Sequence, residues 1–195
     1  MAYWRDSTKG GAPRTPRPLI VDEIQCVNGS IVNLTIPSKE TVRAGKTDSG
    51  IRYFEVVTPT VRNIVSNQFD CHNDTTTMGA RLDNFEHFDC IGSHWSTRFF
   101  AEETMVSRNM PWEQSITALT LALFEDTGWY RGNFSASGGV RDAPAFGYGA
   151  GCDFLMQDCI MDDVVPEFGE DVFCNTLTVE SPIRCDASHK RFAKW

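Results

Sequence analysis

His94 and Met105, eleven residues apart in GSHWSTRFFAEETM, are the residues whose types and spacing first suggest chemistry. An imidazole ligates zinc, and zinc-bound water is the nucleophile of hydrolytic metal sites. Such sites commonly take two more ligands from one helix face, where residues at i and i+4 lie one above the other. The histidines here are His72, His87, His94 and His189, and none forms an i, i+4 pair. The Gly92-Ser93 step also argues against a helix joining His87 to His94. Taken singly, a lone histidine is a surface or satisfied core residue, and a lone methionine fills a gap in a core.

The seven cysteines, at 26, 71, 90, 152, 159, 174 and 185, show neither CxxC spacing nor a zinc-ribbon pattern. Four N-x-S/T sequons begin at Asn28, Asn33, Asn73 and Asn133. Cysteines and sequons together predict an oxidising, glycosylating compartment. The first 18 residues, MAYWRDSTKGGAPRTPRP, contain no apolar run of the signal-peptide kind, and no transmembrane run follows. The odd cysteine count leaves either one free thiol or a partner outside the chain. The expectation is a piece of a longer secretory protein. Net charge is −8 and the pI is near 5.0, with Lys and Arg scattered, so nucleic acid is not an expected partner.

The elements that must position these residues follow from periodicity. A lead-in over 1–20, rich in Gly, Pro and basic residues, is expected to be flexible. LIVDEIQCVNG then reads either as a short helix stopped near Gly29 or as a buried strand, since short apolar runs are ambiguous. IVNLTI (31–36) and IRYFEVV (51–57) predict strands from their β-branched and aromatic content. Thr58 and Pro59 supply an N-cap and first helical position for a helix with Val61, Ile64, Val65 and Phe69 on one face. A longer helix is predicted from about 111 to 127, with Ile116, Leu119, Ala122, Leu123 and Phe124 at helical spacing and Gly128 as its stop. Beyond it periodicity fades into a loop-rich region that disulfides would staple.

GSHWSTRFFAEETM, then SITALTLALFEDTGWYRGNFS and FGYGAGCDFL, resembles the third-histidine and Met-turn region of the leishmanolysins, the surface zinc metalloproteases of trypanosomatids and relatives. FEVVTPTVRNIVSNQFDC is similar to the segment that precedes that histidine, so the resemblance covers about 43–185 and is strongest over 92–155. Leishmanolysins are metzincins, in which two histidines of a helical HExxHxxG and one later histidine hold zinc above a Met-turn floor. The resemblance implies that His94 is the third ligand and Met105 the Met-turn methionine. It also implies a Cys71–Cys152 disulfide, with Cys159, Cys174 and Cys185 lacking partners within the chain.

HExxH does not occur. Where the family motif would lie, DEIQCVNG (22–29) sets Asp22 at the first histidine, Glu23 at the catalytic glutamate, Cys26 at the second histidine and Gly29 at the turn glycine, with Asp22 and His94 72 residues apart. Two readings stand: a decayed active-site helix, or unrelated sequence. In the first, Asp22, Cys26 and His94 are a possible degenerate zinc site with Glu23 as base; otherwise Cys26 closes a disulfide with Cys90.

The expected fold is α+β, the C-terminal part of a metzincin-like catalytic domain over 21–130, followed by the start of a truncated cysteine-rich domain over 131–195. The resemblance implies a zinc metalloendopeptidase acting on peptides or proteins at the cell surface or outside the cell. Membrane association would come only through a part of the parent protein outside this chain. With its ligand set changed, this chain alone is expected to be catalytically impaired. The alternative is a pseudoprotease that keeps the fold as a binding or adhesion module.

Overall fold

A computed structural model describes residues 5–6, 12–13, 21–26, 29–35, 37–72, 78–83, 92–107, 114–136, 146–169, 173, 183–185 and 192–194. It is a mixed helix and strand fold, α+β as expected. Within the lead-in, Arg5–Asp6 (β1) and Ala12–Pro13 (β2) form a two-residue antiparallel ladder.

The helical reading of 22–29 is corrected. Val21–Gln25 (β3) and Ile31–Thr35 (β4) form an antiparallel hairpin, in register from Val21 opposite Thr35 to Gln25 opposite Ile31. The turn explains why: Gly29 has φ +84°, its N–H donates to Cys26 O at 3.0 Å, and Cys26 N–H donates to Ser30 O at 2.8 Å. Asn-Gly between two short apolar runs is a hairpin signal, and it prevails over the helical pattern. The strand is not a buried one, since Val21, Glu23 and Gln25 are exposed.

Val42–Lys46 (β5), Arg52–Val56 (β6) and Ala80–Arg81 (β7) make a three-stranded antiparallel sheet in that order. In the strand predicted at 51–57, Tyr53, Phe54, Glu55 and Val56 are all buried. The buried Glu55 carboxylate accepts from the Arg43 guanidinium across the sheet and from Gly79 N–H at 2.8 Å. Buried charge is tolerated where it is paired in this way.

Pro59–Phe69 (α1) is the helix that Thr58-Pro59 predicted, with Val61, Val65 and Phe69 fully buried. Thr58 makes no side-chain cap. Asp126 does so from 66 residues away: its Oδ2 accepts from Thr60 N–H (2.9 Å) and Val61 N–H (3.1 Å), and its Oδ1 from Thr60 Oγ1 (2.6 Å). A carboxylate at a helix N-terminus satisfies otherwise orphaned donors and suits the dipole.

The helix expected from about 111 to 127 spans Ala118–Asp126 (α2) instead. Ser115 pairs with Glu103 in a parallel bridge, and Thr117 caps the helix by accepting Leu119 N–H at 3.2 Å, so the preceding turn is committed elsewhere. Residues 111–113 lie outside the described part. Leu119 and Ala122 face the core, whereas Ile116 and Phe124 of the expected stripe are exposed.

Gly151–Met156 (α3) packs on α1 through Phe154 and Leu155 and is bonded to it by the Cys71–Cys152 disulfide, the pair that the resemblance implies. The core runs continuously from Phe54 and Val56 through α1 and Phe99, Phe100, Leu119 and Ala122 to Phe146 and Phe154. Ile183–Cys185 (β8) and Phe192–Lys194 (β9) form a further antiparallel pair.

Candidate functional site

The segment carrying His94 is laid along the sheet edge. Asp83 N–H donates to His94 O (3.0 Å), Ser96 N–H to Arg81 O (2.9 Å), and Leu82 bridges Trp95 antiparallel. Gly92 allows the approach, because a Cβ there would collide with the Asp83 backbone. On such an extended segment neighbouring side chains point to opposite sides. Accordingly His94 is exposed and Trp95 is buried in the core, and His94 Nδ1 lies 3.1 Å from Ser93 Oγ.

The chain then returns to the same place. Ser96 O accepts from Phe99 N–H and Phe100 N–H, turning the backbone, and Trp95 N–H donates to Met105 O at 3.0 Å. Trp95 also bridges Val106 in parallel. The backbone at Met105 is therefore brought beside the segment that carries His94, with Met105 partly buried against the core.

A buried polar network beneath the loop holds this turn. The Glu103 carboxylate accepts from Thr117 Oγ1 and, at 2.7 Å, from Thr120 Oγ1, while Thr120 Oγ1 accepts the Trp95 indole N–H at 3.2 Å. Thr104 N–H to Ser115 O (3.0 Å) and Ser115 N–H to Glu102 O (2.9 Å) tie the backbones together. These side-chain bonds converge on Glu103, so the tryptophan next to His94 and the turn carrying Met105 share one anchor on α2. A recess beside Glu103, lined by Gln68, Phe99, Phe100, Thr117 and Phe146, measures about 10 Å³. That volume admits about one water and no peptide.

Burial pushes the Glu103 pKa above the ordinary carboxylate value, against the lowering influence of the two threonine hydroxyls. A carboxyl with a raised folded-state pKa binds its proton more tightly in the folded chain. Its contribution to stability is thus complete below the ordinary value and is lost as pH rises from there through the raised one. Urea unfolding of the wild type and Glu103→Gln at about pH 4 and about pH 8 checks this. The balance is expected to move in favour of the Gln variant at the higher pH, and a difference that is constant or moves the other way refutes it.

The other candidate ligands are not assembled. Asp22 lies on β3 and Cys26 one residue past its end, four positions along an extended backbone of about 13 Å, which is wider than one ion with bonds near 2.0–2.3 Å readily spans. Cys26 is buried and disulfide-bonded, so its sulfur is not a thiolate available to a metal; Cys90, its expected partner, lies outside the described residues. Glu23 is exposed on β3, opposite Asn33 of β4. Cys159 is a free thiol, and the side chains of Cys174 and Cys185 lie outside the described part. Among the described residues no three His, Cys, Asp or Glu side chains are grouped to hold a metal ion. The donor set described here does not fit zinc.

Sequence reasoning missed Glu103 and Asp126. Each sits in an acidic pair, Glu102-Glu103 and Glu125-Asp126, and nothing local marks which member turns inward.

The leishmanolysin family model matches residues 37–194. The leishmanolysin-like peptidase of Drosophila pseudoobscura pseudoobscura is 30% identical over 166 residues, 81% of this chain and 22% of the relative. The ciliated left-right organizer metallopeptidase of Xenopus laevis is 28% identical over 130 residues, 65% of this chain and 17% of the relative. Leishmanolysin of Leishmania major is 39% identical over 72 residues, 37% and 11% respectively. The chain spans at most about a fifth of the length of these relatives.

Proposed function

We propose, from the premise that this chain belongs to the leishmanolysin family of metallopeptidases, that it is the third-ligand and Met-turn portion of such an enzyme and is catalytically impaired by itself. Its family assigns it peptide or protein substrates, and an extracellular or cell-surface setting fits its Cys71–Cys152 bond. Among the described residues no helix is long and apolar enough to cross a membrane.

The observation that carries this reading is the contrast between two segments. The segment carrying His94 and the backbone at Met105 are paired on a network-anchored turn, which supports the ligand and floor roles proposed for them. Asp22 and Glu23 lie on a hairpin strand, and Cys26 just past its end has its sulfur already bonded, which supports loss of the rest of the site.

Oxidised chain supplied with zinc should cleave casein at least about 10²-fold more slowly than a full-length family peptidase, the smaller end of what losing a positioned general base costs. Equilibrium dialysis should find no stoichiometric zinc. Zinc-dependent turnover that Glu23→Ala abolishes would overturn the reading.

A further inference from the structure

We propose that Asn133 carries an N-linked glycan whose first sugars cover an exposed aromatic patch made by Phe124, Trp129 and Tyr130. The proposal rests on the extracellular setting argued above. Two observations carry it independently, one at the acceptor and one at the surface beside it.

The acceptor is Asn133-Phe134-Ser135. Both Asn133 and Ser135 are exposed, and Ser135 Oγ donates to Asn133 Oδ1 at 2.7 Å. The 3-10 turn Phe134–Ala136, closed by Ala136 N–H to Asn133 O at 3.0 Å, presents amide and hydroxyl together at the surface. An exposed Asn-X-Ser in an oxidising compartment is an acceptor for a bulky, solubilising glycan.

Three large aromatic residues stand exposed a few positions before Asn133. Phe124, Trp129 and Tyr130 are 40%, 57% and 61% exposed, and the Phe124 and Tyr130 rings meet edge to face at 5.5 Å. Single exposed aromatics need no explanation, but neighbouring ones mark a surface that something covers. The segment leading to the sequon is held beside α2. Gly132 N–H donates to Glu125 Oε2 at 3.0 Å, and Trp129 N–H to Thr127 Oγ1 at 3.2 Å, so 129–133 lies along the last turn of α2. Three residues separate Tyr130 from Asn133, at most about 11 Å of backbone. The apolar C–H face of a pyranose matches an aromatic ring, which makes the attached sugar the occupant nearest to hand.

In the modification, the Asn133 amide nitrogen bonds to the anomeric carbon of a lipid-diphosphate-linked oligosaccharide. The bond from that carbon to the phosphate oxygen breaks, the amide gives up one proton, the lipid diphosphate leaves, and no electrons are exchanged with a redox partner.

The test is to secrete the full chain from eukaryotic cells behind a leader. Glycans are then released with an amidase in heavy-oxygen water, which converts each formerly glycosylated Asn to labelled Asp for peptide mass spectrometry. Label is expected at Asn133 and should vanish in Ser135→Ala. Glycan release should raise binding of an apolar dye several-fold, and Phe124→Ser with Tyr130→Ser should cancel the rise. A bare Asn133 in protein labelled at another sequon overturns the proposal while leaving the extracellular setting intact. Absence of label at every sequon together with a reduced Cys71 overturns both. Labelled Asn133 with unchanged dye binding, or a patch that dimerises the glycosylated chain, overturns the covering role.

Discussion

Phe154→Ala is expected to lower the unfolding free energy by about 4 kcal/mol, the size of a large aromatic truncation that the surroundings cannot refill. Phe154 is fully buried and its ring contacts five others: Phe69 at 5.6 Å, Phe173 at 5.7 Å, Phe99 and Phe146 at 6.0 Å, and Phe168 at 6.2 Å. Two of these are stacked and three are edge-on, the geometries aromatic pairs prefer. The rings come from α1, the turn after His94 and the segments flanking α3, so collapse around an alanine would have to move several elements at once. For a chain of this length the loss corresponds to roughly 10 °C in Tm. Thermal unfolding followed by circular dichroism measures it, with Phe124→Ala, on a partly exposed ring, expected to lose far less. A drop below about 2 kcal/mol for Phe154→Ala would mean that the cluster relaxes freely.

Removing the Cys71–Cys152 bond should cost a similar amount. It closes a loop with a sequence separation of 81, for which the chain-entropy relation gives about 4.5 kcal/mol. Cys71 follows α1 directly and Cys152 opens α3, with Cα atoms 4.8 Å apart. The double substitution Cys71→Ser, Cys152→Ser should therefore shift the urea midpoint strongly, read against wild-type oxidised protein. Serine in both places avoids creating a new free thiol. A loss under about 1 kcal/mol would show that the unfolded chain is already restricted or that the bond strains the native state. Because Phe154 and Cys152 serve the same α1–α3 contact, combining the changes should cost less than the two separate losses suggest.

What could be read from the residues divides along physical lines. Local chemistry was legible: Thr58-Pro59 marked the start of α1, and β-branched runs marked β4 and β6. The start of α2 was not, because Ser115 is drawn into a bridge with Glu103 and no residue near Ser115 reveals that partner. At 22–29 two local signals conflicted, a helix-like ligand spacing and an Asn-Gly turn, and the turn won once its hairpin ladder could form. The backbone pairing of the His94 segment with Met105 was legible only through resemblance, since the spacing of two lone residues implies no contact. Glu103, which anchors that pairing, was invisible for the reason that governs buried charge generally. Its partners Thr117 and Thr120 lie on another element, and an acidic residue in a loop otherwise reads as solvated.

The reach of Asp126 back to Thr60 and Val61 sets an order of events in folding. In the first turn of α1 the Thr60 and Val61 donors are satisfied by the last residue of α2, across 66 residues of chain. Closing such a loop precedes any gain from the contact, so α1 elongates without its cap and completes it late. Amide exchange at Thr60 and Val61 therefore reports separation of the two helices rather than fraying of one, and the native lifetime of that turn is the lifetime of the interface.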